Sequence, residues 1–120
     1  MKSVYIAGSR KFFDEIVKLV QTLKNANIKV ATAGKWDKNQ KDTFESEKNA
    51  LLRAFKEMDN ADITYIFASE RYIGKTVAME IAYAFAKNKE LISSNEIEEF
   101  SARALISKII NPEKLIEYCK

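Results

Sequence analysis

Apolar residues along the chain fall into two alternating periods. Ser3-Val4-Tyr5-Ile6-Ala7 is a short apolar run stopped by Gly8, the pattern of a buried strand. Phe13, Ile16, Val17, Val20 and Leu23 then recur three or four apart, which predicts a helix over about 11–25. Ile28 to Thr32 reads as a second strand, followed by a polar loop over 33–42. Asp42 stands three residues before Glu45, a capping-box spacing, and Phe44, Leu51, Phe55 and Met58 supply the core face of the helix it opens. Ile63 to Ala68 is a third strand, rich in β-branched and aromatic residues. A helix from Lys75 to Lys87 follows, with Val77, Ile81, Ala84 and Phe85 facing inward. Leu91-Ile92-Ser93 is a short fourth strand, and two helical segments over about 96–109 and 112–118 close the chain. Pro112 suits the first turn of the last one.

Strands alternating with helices predict an α/β three-layer sandwich with a parallel sheet. Right-handed crossovers narrow this to flavodoxin-like or Rossmann-like topology. Ligands of such sheets bind beyond the carboxyl ends of the strands, where the strand order reverses. Three loops converge there: Gly8-Ser9-Arg10, the 33–42 loop, and Ser69 to Thr76.

Composition changes this picture mainly by exclusion. A length of 120 residues fits one domain over 1–120, and 47% apolar residues suffice for a core. Twenty basic and 17 acidic residues leave a net charge of +3, with no basic stripe. That predicts no nucleic-acid partner. The densest charge run, Lys35 to Lys41, contains Asp37 and reads as a solvated loop. A single cysteine, Cys119, excludes an internal disulfide. With no signal-peptide pattern and no apolar run near ~18 residues, a cytoplasmic protein without membrane contact is expected. Histidine is absent. That removes serine–histidine and cysteine–histidine catalysis and nearly all zinc sites. Acid–base chemistry then falls to carboxylates, lysines or tyrosines.

Gly8-Ser9-Arg10-Lys11 links the first strand to a helix amino end, where free N–H groups favour an anion. The alternative is a tight turn with solvated basic residues. Ser69 to Thr76 is similar to a phosphate-binding P-loop whose first glycine is Ser69, but no later apolar strand ends in an aspartate for magnesium. That argues against a nucleoside triphosphatase. Glu80 shares a helical stripe with Thr76, Tyr83 and Lys87. Two readings stay open for it: a solvated face, or a carboxylate near a helix amino end facing the ligand crevice, where it could act as a nucleophile.

Val4-Tyr5-Ile6-Ala7-Gly8-Ser9, Ala61-Asp62-Ile63, and Tyr72 to Ala86 with Lys89 resemble the nucleoside 2-deoxyribosyltransferase superfamily. The similarity runs through residues 3–92, and the glycine…threonine…glutamate–aliphatic–small–tyrosine–alanine stretch is its most specific part. The superfamily holds enzymes that exchange bases between deoxynucleosides and nucleotide N-glycosidases that release the base to water. The resemblance implies that Glu80 is the nucleophile and that Tyr5 hydrogen-bonds its carboxylate. It implies a ligand loop at Gly8 and Ser9, and a second at Gly74 and Thr76. The transferases help to protonate the leaving base with an aspartate after the third strand. Here Ser69-Glu70-Arg71 offers only Glu70. Their second carboxylate, in the preceding helix, has no counterpart near Ala54.

The expected function is cleavage or transfer at the N-glycosidic bond of a nucleoside or nucleoside 5′-monophosphate. The expected site is Glu80, Tyr5 and Glu70 for catalysis, with Gly8, Ser9, Arg10, Gly74 and Thr76 for the substrate. The guanidinium of Arg10 would read a 5′-phosphate. No metal or redox cofactor is implied. A non-catalytic nucleotide-binding module is the alternative. Family members commonly assemble, and Trp36, Phe44 and Phe100 are apolar residues left over for pairing, so at least a homodimer is expected.

Overall fold

A computed structural model describes residues 1–34 and 41–120. Five parallel strands form one sheet: β1 (Val4–Gly8), β2 (Val30–Ala31), β3 (Ile63–Phe67), β4 (Glu90–Ser93) and β5 (Lys108–Ile109). The connecting helices are α1 (Phe13–Asn25), α2 (Phe44–Asn60), α3 (Lys75–Ala86), α4 (Phe100–Arg103) and α5 (Pro112–Cys119). The order β2-β1-β3-β4-β5 is the flavodoxin-like one. The chain moves outward from β1 to β2, then crosses back to pair β3 on the other side of β1. Val4 to Gly8 therefore lie in register with Ile63 to Phe67, and the strand order reverses between these two strands. The predicted three-layer fold with its parallel sheet is the observed one.

Alternate residues of a strand face opposite layers. Val4, Ile6, Ile63 and Tyr65 pack with Leu19, Leu23 and Leu115 of α1 and α5. Tyr5, Ala7 and Ile66 pack with Ala54 and Met58 of α2 and with Val77, Ile81 and Ala84 of α3. This alternation puts Tyr5 beneath α3, which matters for the site.

Several sequence expectations are corrected. The cap of α2 is Thr43, not Asp42: Thr43 Oγ1 accepts from the Ser46 amide at 3.0 Å, and Ser46 Oγ accepts from the Thr43 amide at 2.9 Å. Two hydroxyls form this capping box, which frees Asp42 for an ion pair described below. Phe44 does not reach the core and is 99% exposed, because α2 fully buries only Ala54 and Met58. Phe85 is also exposed, since Val77, Ile81 and Ala84 already set the buried stripe and Phe85 lies one residue round from it. The helix expected over 96–109 is only the single turn of α4; the chain then enters β5, which pairs Lys108 with Ile92 and Ile109 with Ser93. Both β5 residues are exposed, so this edge strand lacks the apolar run that would mark it. β2 is likewise shorter than the run Ile28 to Thr32. Most of the charged run Lys35 to Lys41, and Trp36, lie outside the described residues.

Candidate functional site

The switch point between β1 and β3 holds a buried acid. Tyr5 is fully buried on β1, and its phenol donates to Glu80 Oε2 at 2.7 Å. Glu80 is 5% exposed and sits in the second turn of α3. The solvated-face reading of its stripe therefore fails. Thr76 and Lys87 do point to solvent, but Tyr83 donates instead to Asp59 of α2 at 2.9 Å. Glu80 turns inward with Val77 and Ala84, three and four residues away on the same face, and beside the buried Ile81.

Burial disfavours the charged carboxylate and pushes the Glu80 pKa up from 4.5 to about 6; the Tyr5 hydrogen bond pulls the other way. The Tyr5 phenol is held well above its ordinary range, first by burial and then by the Glu80 charge. Tyr5 therefore stays a donor at any working pH. A carboxyl pushed up to about 6 lies nearer than an ordinary glutamate to the range in which it can switch between acid and anion.

The surrounding loops are built as follows. Gly8 ends β1 where a Cβ would come 2.7 Å from Ile16 Cδ1 and 3.0 Å from the Phe67 carbonyl. The Ile16 tip can swing aside, but the Phe67 backbone carbonyl on the neighbouring strand leaves a side chain little room here. Ser9 Oγ accepts from the Lys11 amide at 3.2 Å and caps a 3-10 turn over Arg10–Phe12. Gly74 caps α3 with φ −84°, and a Cβ there would meet nothing nearer than the Tyr72 hydroxyl at 3.9 Å. Packing among the described residues gives no reason for glycine at that position, whereas close approach of a ligand to the α3 amides would. Thr76 is exposed in the first turn of α3.

Two predicted residues are placed otherwise than expected. Arg10 meets Asp42 at 3.2 Å and Glu47 at 3.3 Å, so two carboxylates already balance the guanidinium expected to read a phosphate. Glu70 lies in a 3-10 turn over Ser69–Arg71, two-thirds exposed, and pairs with Lys11 at 3.4 Å. It makes no bond to Tyr5 or Glu80. Glu70 and Arg71 both adopt the left-handed region, φ 58° and 64°. The turn is held by Arg71 N donating to Ala68 O and by the Glu98 amide donating to Arg71 O at 2.8 Å.

Arg53 and Glu57 of α2 escaped the sequence reading. Both lie close enough for their charges to act on the Tyr5 phenol, in opposite directions. The available signal was their spacing of one helical turn, flanking Ala54 and Met58 on the helix that covers β1.

No family model matches the chain, and no curated protein does. Solved structures do match. A conserved protein from Enterococcus faecalis V583 aligns over 98% of this chain and 96% of its own, with 16% identity and a TM-score of 0.66. A 2-deoxyribosyltransferase from the psychrotolerant bacterium Bacillus psychrosaccharolyticus aligns over 97% of this chain and 91% of its own, with 15% identity and a TM-score of 0.68. The chain therefore shares the three-layer α/β fold of a nucleoside deoxyribosyltransferase.

Proposed function

We propose that the protein cleaves or transfers at the N-glycosidic bond of a nucleoside or nucleoside 5′-monophosphate, with Glu80 as the nucleophile. The observation that carries this reading is the buried Tyr5–Glu80 pair at the strand-order reversal. A carboxylate oxygen of Glu80 forms a bond to the anomeric carbon. The C1′–N bond breaks, and its electron pair leaves on the base, which takes a proton. Water or a second base then attacks the same carbon and releases Glu80, the two-step logic of retaining glycosidases. Tyr5 fixes the carboxylate's orientation and keeps one oxygen engaged, leaving the other for attack. Ser9, the α3 amides at Gly74 and Thr76 line the sugar's side of the crevice. Arg10 reaches the ligand only by giving up Asp42 and Glu47. The proton for the base comes from water, or from Glu70 once Lys11 releases it.

The test is incubation with deoxynucleosides, ribonucleosides and their 5′-monophosphates, followed by chromatography of free base. Wild type should release base and Glu80→Ala should not. Equal traces from both would end the enzymatic reading. The position of Glu70 motivates a second reading, a nucleotide-binding module of the same fold without turnover. It predicts ligand-dependent thermal stabilisation of wild type and Glu80→Ala alike, with no free base.

Assembly into at least a homodimer and a cytoplasmic location belong to the same proposal. Phe44, Phe100, Met79 and Phe85 are all at least half exposed, which supports pairing. Light scattering should return a multiple of the 13.7 kDa chain mass. No helix among the described residues is long and apolar enough to cross a membrane.

A further inference from the structure

The chain has four arginines, Arg10, Arg53, Arg71 and Arg103. Arg10 is paired with Asp42 and Glu47, and both Arg71 and Arg103 with Glu96. Arg53 differs. Its Nε donates to the carbonyl of Ala33, a neutral group, at 2.8 Å, and among the described residues it pairs with no carboxylate. We infer that Arg53 is the residue that grips an oxyanion on the ligand, the 5′-phosphate of a nucleoside monophosphate.

Three observations support this assignment, which rests on the function proposed above. The first is position. Arg53 lies on α2 six residues after Glu47, the partner of Arg10, so about 9 Å further along the helix. Its neighbour Ala54 and the Ala33 that holds it both pack with the core cluster that contains Tyr5, and its charge is felt at the Tyr5 phenol. The second is fixation. The Ala33 carbonyl holds Nε, and the guanidinium lies against Gly34, whose φ is +108°. A Cβ at residue 34 would sit 3.4 Å from Nε, 3.7 Å from Cζ and 3.8 Å from Nη2. The bare backbone of Gly34 thus gives the planar group a surface to rest on. The third is chemistry. With Nε anchored, the two terminal nitrogens present the edge that binds phosphate through parallel hydrogen bonds. A cation already balanced by two carboxylates, as Arg10 is, must lose those partners first; among the described residues Arg53 has no such partner to lose.

The experiment is calorimetric titration of a purine 2′-deoxynucleoside and its 5′-monophosphate into wild type, Arg53→Gln, Arg53→Lys and Arg10→Gln. Melting curves verify that each variant is folded. The quantity read is the ratio of the two affinities. Wild type should favour the monophosphate at least tenfold, Arg53→Gln should lose most of that ratio, and Arg53→Lys should keep part of it. Arg10→Gln should retain it. A ratio near one in wild type, or one that survives in Arg53→Gln, overturns the inference. If neither ligand binds wild type, the proposed function fails, and inorganic phosphate decides the inference separately. Phosphate titrated into 15N-labelled protein should then shift the Arg53 Nε–Hε resonance. No shift there would overturn the assignment of Arg53 as well.

Discussion

Glu80→Gln should make stability depend on pH in a way that isolates the buried acid. Folding raises the Glu80 pKa from 4.5 to about 6. Between these values the native state binds more protons than the unfolded chain, so stability falls as pH rises. The contribution is fully present below pH 4.5 and is lost above about pH 6. A shift of about 1.5 pH units at 1.36 kcal/mol each is worth about 2 kcal/mol. Glutamine keeps an acceptor for the Tyr5 phenol and cannot ionise. The stability of Glu80→Gln minus that of wild type should therefore increase by about 2 kcal/mol between pH 4 and pH 7.5. For a domain of this size that is roughly 6–10 °C in Tm. Urea or thermal melts of both proteins across this range measure it, and the other titrating groups cancel in the difference. A difference that stays flat, or that changes in the opposite direction, would show that Glu80 is not a buried acid with a raised pKa.

Tyr5→Phe removes the donor that favours the Glu80 anion, so any activity should lose its acid limb near pH 6 to a higher pH; a pH–rate profile reads the displacement. Its stability at pH 7.5 should drop by about 1–3 kcal/mol, since a buried carboxylate loses its partner. Gly8→Ala should cost about 1–3 kcal/mol in a urea titration, because the added methyl overlaps Ile16 and crowds the Phe67 carbonyl. Glu70→Gly should raise Tm, since relief of the left-handed backbone, about 1 kcal/mol, exceeds the exposed ion pair with Lys11; an unchanged or lower Tm would contradict that.

The layers of the fold were legible because β1 and β3 are unbroken apolar runs and most of the apolar stripes of α1 and α3 face the sheet, Val17 and Phe85 excepted. Tyr5 and Glu80 were found as a pair through the resemblance of their flanking motifs, since spacing alone left Glu80 between two readings. Burial decided between them, and burial depends on how α3 is rotated over Tyr5. β5 was missed because Lys108 and Ile109 pair only through tertiary context, at an edge that buries neither. Arg10 and Glu70 were correctly read as lying on the loops at the carboxyl ends of β1 and β3. Their ion pairs with Asp42, Glu47 and Lys11 join residues far apart in the chain, which no local pattern encodes. Arg53 and Glu57 were overlooked for the same reason: a helix face reveals its neighbour only once the crossover from α2 to β3 is in place.

Mass spectrometry of the quenched reaction tests the nucleophile most directly. Wild type is mixed with a deoxynucleoside or its 5′-monophosphate, acid-quenched within the first turnover, and digested. A sugar adduct is expected on the peptide that carries Glu80 and should be absent in Glu80→Gln. Release of free base with no adduct on that peptide, or an adduct on another residue, would contradict it.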